Sequence, residues 1–73
     1  MKRIMQLEAD PVAIEEVEAL SETESGMVCR LGAKRFEIPR RLMLEGSQLR
    51  VPGDRGRLVV SRSLAQSRGL AAR

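Results

Sequence analysis

Few groups in this chain are able to make or break bonds. It has no His, Trp or Tyr, one Cys and one Phe in 73 residues. Without His it lacks the commonest general base and the commonest metal ligand. Cys29 alternates with Met27 and Leu31 on what reads as one strand face, so it is expected as a small core hydrophobe. No His or second Cys is present to activate it as a nucleophile. One Cys also permits neither an intrachain disulfide nor a Cys-based zinc site. Glu15, Glu16 and Glu18 are the densest run of carboxylates. Metal sites of this kind draw ligands from several elements, so these three are expected on a solvated face. Gly53-Asp54-Arg55-Gly56 has the glycines to turn backbone N–H groups toward a phosphate. It lacks the Lys-Ser/Thr ending of a nucleotide loop, and as a hairpin turn it needs no ligand. This inventory points away from an enzyme and implies no cofactor and no metal.

Charge is the more informative chemistry. Residues 1–26 carry two bases against seven acids, a net −5, and residues 27–73 carry eleven bases against three acids, a net +8. Halves of opposite sign suggest charged partners. The acidic half can meet a basic protein surface or shield the basic half within its own fold. Eleven of the thirteen bases are Arg, whose planar fork pairs two-pronged with phosphate and carboxylate. The bases spread over every segment of the second half rather than forming one run. Lys34, Arg40, Arg41, Arg55, Arg57 and Arg62 are the candidate binding residues, because turn and strand-end positions project from a small fold. The plain alternative is that they only keep the protein soluble. Arg30 and Arg35 lie within strands and are expected to pair with Glu18 or Glu37. With Phe36 the only ring, stacking on exposed bases is not a route to nucleic acid, whereas phosphate contact by Arg is.

These residues must be positioned by short elements. Residues 2–9 suit a short strand or a mobile tail. Asp10-Pro11 is a helix-start pair, Asp at the N-cap and Pro at the first turn. Residues 12–20 then read equally as a helix with Ala13, Val17 and Leu20 on one face or as a strand. Thr23-Glu24-Ser25-Gly26 is a turn with Gly placed for a positive φ. A strand over 27–31, a tight turn at Gly32-Ala33 and a strand over 35–39 make a meander, with Phe36 and Ile38 on its inner face. A single helical turn over 40–45, a short strand over 48–51 and the turn Pro52-Gly53-Asp54-Arg55-Gly56 follow. The chain closes with a strand over 57–60 and a short helix capped by Ser61 or Ser63, with Gly69 at its C′ position. Residues 35–42 and 57–64 share Arg, Arg and Leu at an offset of 22, which implies two strand-then-turn units.

The fold expected is mostly β: a small antiparallel barrel or rolled sheet of the SH3-like or OB-like kind, with a short C-terminal helical turn, and with a helix near 11–20 as an option. One domain spans 1–73, with 1–11 a mobile arm and 65–73 a frayed tail. No apolar run nears the ~20 residues of a membrane span, and Glu8 and Asp10 interrupt any signal-peptide core. The chain is expected in the cytoplasm, as a monomer, with no membrane partner.

Two resemblances add to this. Residues 35–60, with Ile38-Pro39-Arg40, a short helical turn, Pro52-Gly53-Asp54 and a further apolar strand, resemble the AbrB-type DNA-binding motif of transition-state regulators and antitoxins. That resemblance implies a swapped-hairpin homodimer presenting Arg to DNA. Taken whole, in size, mixed-sign charge layout, Arg-rich basic half and lack of catalytic groups, the chain resembles the very small phage-encoded regulators of bacterial RNA polymerase. This second resemblance implies a non-enzymatic regulator in the host cytoplasm. Such a regulator would bind RNA polymerase, inhibit initiation and act as an antiterminator, with contact to nucleic acid phosphates. It is the leading expectation, and the AbrB-type DNA binder is the alternative.

Overall fold

The computed structural model describes residues 10–70. Four strands form one antiparallel sheet: β1 (Pro11–Glu22), β2 (Gly26–Leu31), β3 (Lys34–Pro39) and β4 (Arg55–Ser61). Their order across the sheet is β3-β2-β1-β4. A 3-10 turn at Arg40–Leu42 follows β3, and a six-residue helix, α1 (Arg62–Ser67), follows β4. The mostly-β class holds. The sheet stays open rather than closing into a barrel, because β3 and β4 do not pair.

The helix option at 11–20 is not taken. Those residues belong to β1, which pairs with β4 over its first part and with β2 over its last. A lone amphipathic turn or two offers little burial. As a strand flanked on both sides, the same residues bury Ile14, Val17 and Ala19. Asp10 does not cap a helix. Its carbonyl accepts from the Arg62 N–H at 2.8 Å, and its carboxylate pairs with the Arg62 side chain.

Two irregularities keep the apolar side chains of β1 inward. Ile14 pairs with Leu58 but Val17 pairs with Gly56, so Glu15 and Glu16 together oppose one residue of β4. Glu16 takes the strain, with φ at 62°. A bulge of this kind sharpens the local twist and lets residues three apart share a face. The second shift falls between Ala19 and Ser21 against Cys29 and Val28. At Ala19 the turn after Pro52 docks directly onto β1: Ala19 N–H donates to Asp54 O and Ala19 O accepts from Gly53 N–H, both at 2.8 Å.

The strand expected over 48–51 does not form. Instead the 43–54 segment lies along the outer edge of β4 and satisfies it piecemeal. Leu44 N–H donates to Val59 O and Gln48 N–H to Arg57 O. The side chains of Ser47 and Gln48 accept from the Val59 and Arg57 N–H groups at 2.8 Å. Two polar side chains thus stand in for a neighbouring strand, and the edge is closed to pairing with another chain.

The core is Ile14, Val17, Ala19, Met27, Cys29, Phe36, Ile38, Leu49, Leu58, Val60 and Ala65. Phe36 and Ile38 share the inner face, as the alternation predicts. Full burial of a side chain such as Leu58 contributes ~1.5–3 kcal/mol. Leu49 enters from the loop and Ala65 from α1. Ser61 caps α1 by accepting from Leu64 N–H at 3.2 Å, and Gly69, at φ 72°, ends it. Gly69 N–H donates to Gln66 O and Leu70 N–H to Ala65 O, the paired closure of a Schellman motif. Leu70 packs on the core. Residues 65–70 are therefore a closed helix end rather than a frayed tail, and 71–73 lie outside the described residues. Of the arm expected at 1–11, residues 1–9, with the strand or tail over 2–9, also lie outside, and Pro11 already belongs to β1.

Candidate binding surface

The acids of β1 meet the Arg residues of the second half. Arg30 pairs with Glu18 at 2.7 Å, Arg40 with Glu22 at 2.7 Å, Arg57 with Glu15 at 3.0 Å and Arg62 with Asp10 at 2.7 Å, while Arg55 reaches Glu16 only at 3.9 Å. The charge split in the sequence is therefore largely shielding within the fold. All five pairs are partly or well exposed, so each contributes ~0–1 kcal/mol. Arg30 takes Glu18, as its strand position suggests.

Of the six residues singled out from sequence, Arg40, Arg55, Arg57 and Arg62 are thus exposed but already paired. Arg40, Arg55 and Arg57 project from turns and strand ends as expected, but β1 runs beside them and carries a carboxylate for each. Arg41 and Lys34 are exposed, and among the described residues neither has an ion-pair partner. The two segments offset by 22 residues do form matching units, each a strand followed by a helical turn. Phe36 and Leu58 are buried at one equivalent position, Ile38 and Val60 at the next. Arg40 and Arg62 hold opposite ends of β1, through Glu22 and Asp10.

The N–H groups of Gly53 and Asp54, at the centre of the 52–56 turn, are spent within the fold rather than turned toward an anion. Gly53 N–H goes to Ala19 O and Asp54 N–H to Val51 O. The Asp54 carboxylate itself accepts from Arg50 N–H at 2.8 Å and Val51 N–H at 3.1 Å. Those two backbone bonds hold its pKa below the usual carboxylate range. Glu15, Glu16 and Glu18 face three different Arg residues. Among the described residues no group of three or more acid, Cys or His side chains is placed to hold a metal ion. Cys29 is fully buried, and burial pushes its thiol up to about 11. A neutral thiol with no route to solvent is not a nucleophile.

Sequence reasoning missed two features. The first is an open cleft of about 480 Å³ lined by Arg40, Met43, Leu44, Glu45, Gly46, Ser47, Leu49 and Arg50. Leu42 and Val51, the large apolar residues exposed among those described, at 38% and 54%, belong to the same stretch of chain. No periodicity signals this stretch, because its backbone is held piecemeal by β4 carbonyls, by local turns and by the Asp54 carboxylate rather than by a strand ladder. The second is that Arg35 stands directly opposite Arg30 across β2 and β3. That juxtaposition follows from the two-residue turn at Gly32-Ala33, which pairs 31 with 34 and 30 with 35.

Compared with known proteins, this chain matches no family model, no curated protein and no solved structure. Among the described residues no helix is long and apolar enough to cross a membrane.

Proposed function

We propose that this protein is a non-enzymatic regulator of transcription that docks on bacterial RNA polymerase through the 40–51 segment, inhibiting initiation and acting as an antiterminator. The observation that carries the docking surface is that exposed Leu42 and Val51 belong to the same stretch of chain as an open cleft whose lining includes Arg40 and Arg50. Apolar side chains set beside Arg around a concavity are what a protein partner uses as an anchor. Segments of about 12 residues without regular structure that remain pinned to a sheet are commonly functional. The choice of polymerase rests on the likeness of the whole chain to small phage-encoded regulators.

The experiment is a pulldown from bacterial lysate over a salt series, with the parent and with a Leu42→Asp, Val51→Asp double variant. Both positions are exposed, so circular dichroism should show the variant folded. The parent should recover polymerase subunits, less at high salt, and the variant should recover at least 10-fold less. Absence of polymerase, or equal recovery at all salt levels, refutes the partner. Sedimentation at micromolar concentration should show a monomer. A stable dimer would turn the reading to an AbrB-type DNA binder.

A further inference from the structure

Among the described residues, Lys34, Arg35, Arg41, Arg50 and Arg68 stand outside the ion pairs. Three of them lie at one corner of the sheet, around the free edge of β3, where strand alternation sends Lys34 and Arg35 to opposite faces. Lys34 and Arg35 open β3 at the Gly32-Ala33 turn. Arg68, just past α1, lays its guanidinium along the free edge of β3 and donates from Nε to Glu37 O at 3.1 Å. The Lys34 ammonium lies against the next residue: a Cβ built on Gly69 would sit 3.2 Å from Nζ.

A row of charge continues from this corner across the outer face. Arg35 faces Arg30, Arg30 faces Glu18, and Glu18 faces Arg55 on the far strand. That is three cations to one carboxylate. Like charges directly opposite on neighbouring strands destabilise a sheet. Arg30 is relieved by Glu18, whereas Arg35 has no carboxylate partner among the described residues. Arg55 reaches Glu16 at 3.9 Å, so the charge left over in the row is that of Arg35, beside which an outside anion would be favoured.

We infer that this corner, Lys34, Arg35 and Arg68 with Arg30 beside them, binds the phosphate backbone of duplex DNA. Its composition distinguishes the kind of polyanion. An acidic protein surface would need an apolar anchor at the centre of its contact. The exposed large apolar residues, Leu42 and Val51, belong to the 40–51 segment, and Phe36 is buried. Single strands are held by stacking on rings, of which none is exposed here. What remains is charge alone, which favours the duplex for its denser phosphates and reads no sequence. The inference does not depend on the polymerase reading, and either can fail alone.

The test is fluorescence anisotropy of the full chain with a labelled DNA duplex of mixed sequence. Three phosphate contacts predict a slope of log Kobs against log salt of about −2.7, or a roughly 40-fold loss between about 50 and 200 mM salt. Lys34→Gln, Arg35→Gln and Arg68→Gln should each flatten the slope by about one unit. Among the described residues the Lys34 and Arg35 side chains make no hydrogen bond, so their variants report binding even if Arg68→Gln weakens the β3 edge. Arg57→Gln and Arg62→Gln remove paired cations and should leave affinity within about twofold. Equal losses in those two variants, a flat salt dependence, or no binding at low salt overturns the inference. So does a single strand or polyglutamate binding as tightly as the duplex. The last result would assign the corner to an acidic protein.

Discussion

Gly26 to Ala is the sharpest test of how β2 and β3 fit together. Gly26 opens β2 opposite Pro39. A Cβ there would lie 2.3 Å from Ile38 O and 2.8 Å from Pro39 Cα, both backbone atoms. Carbon and oxygen normally approach to ~3.3 Å even in favourable contacts, so the strands must part by about 1 Å. That movement strains or breaks ladder bonds at this end of the hairpin, each worth ~0.5–1.5 kcal/mol net. Overpacking by one methyl costs ~1–3 kcal/mol in its own right. The expected loss is about 3 kcal/mol, a fall in melting temperature of roughly 12–24 °C for a domain of this size. Gly32→Ala is the matched control. Gly32 has φ 64° and open space around it, so its substitution carries only the left-handed backbone penalty of ~1 kcal/mol. Thermal melts by circular dichroism compare the two. If Gly26→Ala melts no lower than Gly32→Ala, the close approach of β2 to the β3 backbone is not as described.

Three further outcomes follow from the core and the turns. Phe36→Ala removes the only ring from the inner face and should cost ~3–5 kcal/mol of a total near 5–10 kcal/mol, so a variant melting like the parent would put the ring outside the core. Cys29 should resist a thiol reagent in native buffer and react at once in denaturant; because its folded pKa of about 11 lies above the unfolded value, its contribution to stability is present at neutral pH and fades as pH rises toward 11. Rapid native labelling would contradict its burial. Asp54, held below the ordinary carboxylate range by the Arg50 and Val51 N–H groups, contributes stability above that range that is lost as pH falls through its folded pKa. An Asp54→Ala variant should therefore show a shallower loss of melting temperature on acidification than the parent, and parallel curves would refute the assignment.

Local signals in this chain are read by residues close in sequence, and those proved legible. Gly32-Ala33 and Pro52-Gly53-Asp54 turn where their backbone preferences say. Ser61 caps and Gly69 ends a six-residue helix because a hydroxyl and a missing Cβ act within a few residues of themselves. The alternation of Met27 with Cys29 and of Phe36 with Ile38 names the inner face, since a strand has a period of two wherever it pairs.

Other features were decided between distant segments. Residues 11–20 hold a helix start and a strand pattern together, and only pairing with both β2 and β4 makes the strand the better burial. Gly26 looks like a positive-φ turn residue, yet its φ is ordinary, and the backbone of Ile38 and Pro39, far along the chain, is what excludes a side chain there. The Arg residues at 40, 55, 57 and 62 read alike with those at 35, 41 and 68 in sequence. Whether each is spent or available depends on which of them β1 lies beside, and ion pairs span up to 52 residues of chain. The open edge of β4 is closed by Ser47 and Gln48 side chains, which carry no strand signal at all. Propensity and capping act through neighbours, whereas register, close approach and charge pairing arise only once the sheet has brought remote residues together.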